Sequence, residues 1–243
     1  MLNSVSHRGY STLAPENTLA AYRLSAQMGF EMVECDVAFT ADNQAVLLHD
    51  LTIDRTSNGT GRIDQMTLAQ VRTYDFGNWK SEQYRGERIP TFEEFIALCK
   101  QLRLYPYIEL KVVKTEQVKS LVETVKRYGM LRCVTWISFS DELLGEVLKC
   151  DGGARCGYIA EDLTPEVLED ALSLRTPKSK VFLNLNFYAI DEQEIDACEM
   201  NEIPLEVWGL DSAYLIERMD PYISGVTSET VIASEVLEEQ QDE

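Results

Sequence analysis

Histidine is the scarcest chemically useful residue in this chain: its 243 residues include only His7 and His49. That count excludes sites built from three or four imidazole ligands, the zincin helix motif and the multi-histidine phosphohydrolases. Any metal bound here must be held by carboxylates. The six cysteines, at 35, 99, 133, 150, 156 and 198, form no C-x-x-C pair. Neither a thiolate zinc site nor a disulfide framework is expected, and most of them read as small buried hydrophobes. No apolar stretch of about 18 residues exists, and residues 1–9 show no basic segment leading into an apolar run. The expectation is a soluble, cytoplasmic protein with no membrane span. Asn58-Gly59-Thr60 matches a glycosylation triplet but reads as a turn.

Positive charge is also in short supply. Lys and Arg number 22 against 41 Asp and Glu, giving a formal charge of −19 and a pI near 4.5. Nucleic acid and anionic membranes reward basic contacts, so neither is an expected partner. The imbalance is uneven: residues 1–111 hold 11 basic and 14 acidic side chains, residues 112–243 hold 11 and 27. Hydrophobic residues at 45% and charged ones at 26% are ordinary globular proportions, enough to bury a core.

Apolar strand-like runs alternate with amphipathic helical ones. Strands are predicted around Val5 to His7, at 31–37, 45–48, 105–111, 133–137, 155–159, 181–185, 205–210 and 223–227. Helices are predicted at 18–28, from Thr91, around 118–125, at 143–148, 165–174, 191–200, 212–219 and 229–239. Thr91 with Glu94 reads as a capping box, and Thr164 as an N-cap. About eight β-then-α units in roughly 240 residues suit a (β/α)8 TIM barrel, with an open doubly wound sheet as the rival. The stretch from about 50 to 90 is rich in Thr, Asn, Gly and Arg with weak periodicity and reads as an insertion within one barrel domain, 1–243. The polar tail from 238 reads as a frayed helix end.

Four sites after apolar runs carry the chemistry: Ser6-His7-Arg8-Gly9, Glu34-Cys35-Asp36, His49-Asp50 and Glu109-Leu110-Lys111. Strand side chains alternate, so Glu34 shares a face with Asp36, and Glu109 with Lys111. Carboxylates on neighbouring strands repel one another unless a cation sits among them, and oxygen-only ligation suits one hard divalent ion, Mg2+ or Ca2+. The competing arrangement pairs Glu109 with Lys111 or Arg8 and leaves Glu34 and Asp36 on a solvent rim. Two histidines beside a phosphate can serve as general base and general acid, with Arg8 and Lys111 binding phosphate oxygens.

His7-Arg8-Gly9, Pro15-Glu16-Asn17-Thr18, Glu34-Cys35-Asp36-Val37, Thr40-Ala41-Asp42, Val46 to Asp50, Asp54-Arg55-Thr56, Gly59-Thr60-Gly61, Ile89-Pro90-Thr91 and Ile108 to Lys111 resemble the glycerophosphodiester phosphodiesterase family in order and spacing. The resemblance covers about residues 4–111. It implies a barrel with a small insertion after the second strand. It implies His7 and His49 as catalytic acid and base, Glu34, Asp36 and Glu109 as ligands of one divalent ion, and Arg8 and Lys111 as phosphate contacts. It further implies hydrolysis of glycerophosphodiesters to glycerol 3-phosphate and an alcohol through a cyclic phosphate. Asp50 is expected to orient the His49 loop and Arg55 to anchor the insertion. Asn17 is expected either to cap the helix or, like Glu16, to enter the site.

After residue 111 the resemblance thins. Val207-Trp208 is similar to a late strand whose Trp lines the substrate cavity, but Gly209-Leu210-Asp211 replaces the usual Thr-Val-Asn. Ser224 and Ser228 stand where acidic residues are common. Two other functions compete: a lysophospholipase D-like enzyme acting on lipids, and a barrel that binds a phosphorylated ligand without turnover. The charge and the lack of a basic amphipathic helix disfavour the first, and the presence of all five principal groups disfavours the second.

Overall fold

Apolar, β-branched runs separated by helices need both sheet faces covered, and the chain meets that demand by closing its sheet. The computed structural model describes residues 2–219 and 221–229. Its strands are β1 (Asn3–Ser6), β2 (Met32–Phe39), β3 (Ala45–Leu47), β4 (Tyr105–Val112), β5 (Thr135–Ser138), β6 (Arg155–Ala160), β7 (Lys180–Asn186), β8 (Leu205–Trp208) and β9 (Gly225–Ser228). The helices are α1 (Leu19–Gln27), α2 (Leu68–Val71), α3 (Phe92–Leu102), α4 (Thr115–Arg127), α5 (Asp141–Cys150), α6 (Pro165–Ser173), α7 (Glu192–Met200) and α8 (Ala213–Met219). Apart from Glu229, the helix expected at 229–239 and the acidic tail lie outside the described residues.

Every strand but β3 runs parallel to its neighbours, and β1 pairs with both β2 and β9. The result is a closed eight-stranded (β/α)8 barrel, not an open sheet. Strand alternation divides the core. Cys35, Ile108, Leu110, Trp136 and Cys156 face the helices, where they meet Phe92, Phe95, Val118, Leu121, Leu144 and Val147. Val5, Tyr107, Ile137, Ile159 and Phe182 fill the barrel. The strand starts are closed by a satisfied charge network. Arg155 donates to Tyr107 Oη at 2.5 Å, Thr135 Oγ1 at 3.1 Å and Glu206 Oε1 at 2.6 Å, with its guanidinium over the Phe182 ring.

Thr91 and Glu94 form the expected capping box of α3, and Thr164 caps α6 with Pro165 in the first turn. Differences fall at element ends. Cys133 donates its amide to Met130 O, closing the turn after α4, so β5 starts at Thr135. Gly209, at φ +80°, ends β8 after Trp208. The cysteines are all free; four are buried, Cys133 is half-buried and Cys150 is exposed.

One difference concerns function. The run at 45–48 was expected to be one more strand carrying its chemistry at a C-terminal end, yet β3 is not a barrel strand. β2 overruns the barrel, and β3 folds back antiparallel against Val37 to Phe39. The Leu48 amide then donates to Asp36 O at 3.0 Å, returning the chain to the level of Asp36. Beyond it, residues 51–89 build a small cluster of Ile53, Ile63, Val71, Phe76 and Ile89 on Ala38 and Val46.

Candidate active site

The first strand ends in a turn that only a permissive backbone can make. Arg8 lies at φ +55° and Gly9 at φ +78°. A Cβ on Gly9 would sit 2.7 Å from Ala21 Cβ and 2.9 Å from the Ala21 carbonyl carbon, so glycine alone fits against α1. The turn aims the Arg8 amide at Glu34, donating to Oε2 at 2.9 Å. It also brings the guanidinium to Glu16 Oε1 at 2.9 Å and to Asp36 Oδ2 at 3.2 Å.

Glu34 and Asp36 project inward from β2 and Glu109 from the adjacent β4, where Asp36 and Glu109 are register partners. One oxygen from each of the three carboxylates lies within 4.8 Å of the others. Glu34 is 2% exposed, Asp36 0% and Glu109 8%, which removes the solvent-rim arrangement. The Glu109–Lys111 pairing is present, with Nζ 3.0 Å from Oε1, but it neutralises only one of three acids. Burial, followed by the charges of Asp36 and Glu109, holds the Glu34 carboxyl well above the usual range. Burial, followed by Asp36, pushes Glu109 up to about 7 against the pull of Lys111.

The donor set fits a hard cation. Glu34 Oε2 is occupied by the Arg8 amide and Asp36 Oδ2 by Asn17 Nδ2, at 2.7 Å, whereas Glu34 Oε1 and Asp36 Oδ1 are buried with no hydrogen-bond partner. Each carboxylate is thus fixed by one oxygen and offers the other. Asn17 does not cap α1; Thr18 does, accepting from the Ala21 amide. Asn17 lies at φ +55° and takes the Asp36 amide and the Tyr22 hydroxyl on Oδ1.

His49 arrives on the returning β3. Its Nδ1 is 2.6 Å from Asp50 Oδ1, and Arg55 Nε donates to Asp50 Oδ2 at 2.7 Å. Arg55 also grips both oxygens of Glu16, at 2.6 and 2.9 Å. The Arg55 hydrogen bond lowers Asp50 to about 2 despite partial burial. Burial would raise Glu16, but its bonds to Arg55 and the Arg8 charge reverse this and lower it. A continuous chain therefore runs from the His49–Asp50 hydrogen bond through the ion pairs Asp50–Arg55–Glu16–Arg8–Asp36. His7, just past β1, has Nδ1 3.8 Å from Glu229 Oε1.

A third wall is aromatic. Lys111 Nζ lies 5.4 Å from the centroid of the Phe139 ring, and Phe139 meets Trp208 edge-on at 6.5 Å. Trp208 thus stands at the top of the barrel, two ring contacts from Lys111. Sequence reasoning did not find Phe139 or Glu229. Phe139 follows β5, and only the register of β4 and β5 reveals that it reaches Lys111.

The glycerophosphoryl diester phosphodiesterase family model matches residues 7–142. The chain belongs to this family. A glycerophosphodiester phosphodiesterase of Caldanaerobacter subterraneus is 30% identical over 218 residues, spanning 88% of each chain. Among solved structures, an Oleispira antarctica phosphodiesterase in complex with the product sn-glycerol-3-phosphate has a TM-score of 0.86 at 26% identity, covering 93% of this chain and 92% of that one. An Agrobacterium tumefaciens glycerophosphodiester phosphodiesterase gives 0.78 at 26% identity over 94% and 96%. Membership extends past Lys111, where the motifs thin, and the protein is a glycerophosphodiester phosphodiesterase, a phosphoric diester hydrolase. Among the described residues no helix is long and apolar enough to cross a membrane.

Proposed function

We propose that the protein hydrolyses small glycerophosphodiesters, such as glycerophosphoethanolamine or glycerophosphocholine, with one divalent cation and two histidines, within a single barrel domain that carries 50–90 as an insertion. The observation that carries this reading is the open oxygens of Glu34 and Asp36 beside Glu109, with both histidines at the same end of the barrel. Glu34, Asp36 and Glu109 would hold Mg2+ or Ca2+, which when bound neutralises the carboxylates and polarises a phosphoryl oxygen.

Lys111 binds a phosphate oxygen as a point charge, and the guanidinium of Arg8, braced by Glu16, faces the same anion. Held there, the glycerol hydroxyl next to the diester attacks phosphorus in line. One histidine takes its proton at Nε2 while the other protonates the leaving alcohol oxygen. The cyclic glycerol phosphate so formed is opened by water with the two roles reversed, giving glycerol 3-phosphate. Trp208 and Phe139 line the side on which the alcohol leaves. Chelator-treated enzyme should release no glycerol 3-phosphate, and Mg2+ or Ca2+ should restore release. Turnover that survives exhaustive chelation, or a stronger preference for a lysolipid than for its deacylated diester, would overturn the reading.

A further inference from the structure

The two histidines are oriented alike. Each turns Nδ1 toward a carboxylate, Asp50 for His49 and Glu229 for His7, leaving Nε2 for the substrate. We propose that Glu229 is the positioning residue for His7, and that Asp211 fixes Glu229 in place.

Strand register is the first support. β1 and β9 pair in parallel with Ser6 opposite Ser228, so the next residues across the ladder are His7 and Glu229. The His7 amide donates to Ser228 O at 2.9 Å, which locks the pair in step. The second support is the anchorage of Glu229. Asp211, just past β8, accepts the Glu229 amide at 2.8 Å and the Ser228 hydroxyl at 2.6 Å on the same Oδ1. Thr12, in the loop after His7, donates its hydroxyl to Glu229 O at 3.4 Å. The third is electrostatic: the His7 imidazole, 3.8 Å away, lowers the Glu229 carboxyl, helped by the Arg8 charge, against burial and Glu16.

Ser228 and Asp211 are joined side chain to side chain at 2.6 Å, so the carboxylate that faces His7 across the ladder is that of the next residue, Glu229. A carboxylate at Nδ1 selects the tautomer in which Nε2 can accept a proton, and stabilises the imidazolium that then forms.

This inference rests on the reading of His7 as an acid–base group, so His7→Ala is measured beside the Glu229 variants. Glu229 is exposed, so its substitution leaves packing intact. With two histidines in the chain, the nitrogen-15 imidazole signals of His7 are assigned from one His49→Ala sample. Glu229→Ala should lower kcat on glycerophosphoethanolamine by about tenfold with KM nearly unchanged, and raise the Nε2–H share of His7. Glu229→Gln keeps an acceptor and should retain the tautomer while losing part of the rate, and Glu229→Asp should recover most of it. If His7→Ala is inactive but Glu229→Ala matches the parent in kcat and tautomer, Glu229 has no such role. If His7→Ala still turns over, the acid–base reading itself fails.

Discussion

Asn17 and Asp36 are joined by two hydrogen bonds, Nδ2 to the carboxylate at 2.7 Å and the Asp36 amide to Oδ1 at 3.2 Å. Asn17→Ala removes both, orphans a buried amide and puts a Cβ-bearing residue without a local side-chain partner at φ +55°. A stability loss of about 2–4 kcal/mol is expected, with divalent-cation affinity falling by roughly 10–100-fold. Denaturant melts and titration calorimetry measure each part. Asn17→Gly, which tolerates the backbone angle, should recover some stability but none of the affinity. Cation binding equal to the parent's in Asn17→Ala would show that Asp36 needs no such support.

Arg55 joins Asp50 to Glu16 with four hydrogen bonds. Arg55→Lys keeps the charge but lacks the fork, so it should behave nearly as badly as Arg55→Ala. Both should depress kcat by about tenfold or more through a loosened His49. Full activity in Arg55→Lys would mean that charge alone holds Asp50.

Protons and the cation compete for the carboxylates. Glu109 is pushed up to about 7 from an ordinary 4.5, so between these values the chelated, folded chain holds a proton that the unfolded chain releases. This group's contribution is therefore fully present below pH 4.5, and stability declines as pH rises through 7; Glu34 acts in the same direction. Asp50, lowered to about 2, contributes stability above 3.8 that is lost as pH falls through 2. Denaturant melts in a chelator across pH 5 to 7.5 should show the decline, and saturating Mg2+ should flatten it. A chelated protein whose stability rises over this range contradicts the clustering.

Cation binding should also register without turnover. A ligand at about 100 times its Kd stabilises by roughly 2.7 kcal/mol, so Mg2+ or Ca2+ should raise Tm by several degrees in the parent and not in a Glu34→Gln/Asp36→Asn double variant. An equal rise in both would place the ion elsewhere.

Phe139 and Trp208 touch edge-on above Lys111. Phe139→Ala and Trp208→Ala should change KM among diesters of different alcohols more than kcat. A uniform kcat loss across alcohols would move these rings away from the leaving group.

What the sequence made legible was what periodicity controls. Alternation along β2 and β4 put Glu34, Asp36, Glu109 and Lys111 on inner faces, the Thr91–Glu94 capping box announced α3, and the Thr164 N-cap announced α6. Irregular chain has no period, so the return of β3, the bond of Asn17 to Asp36 and the reach of Arg55 to Glu16 could not be read ahead. They depend on closure between segments: 19 residues separate Asn17 from Asp36, and 39 separate Glu16 from Arg55. Glu229 faces His7 only because the last strand meets the first, a property of the closed barrel.

The antiparallel β3 adds a hazard particular to this layout. His49 borders a subassembly with its own small core, joined to the rest through the end of β2, the Leu47–Pro90 and Leu48–Asp36 backbone bonds, the Arg72–Glu94 pair and the Arg55–Glu16 bridge. That subassembly can open while the eight-strand closure persists. Under mild denaturant the enzyme should fall silent while still folded: amides of 51–89 should exchange with solvent before those of β4 to β7, and the carboxylate cluster should still take up its ion.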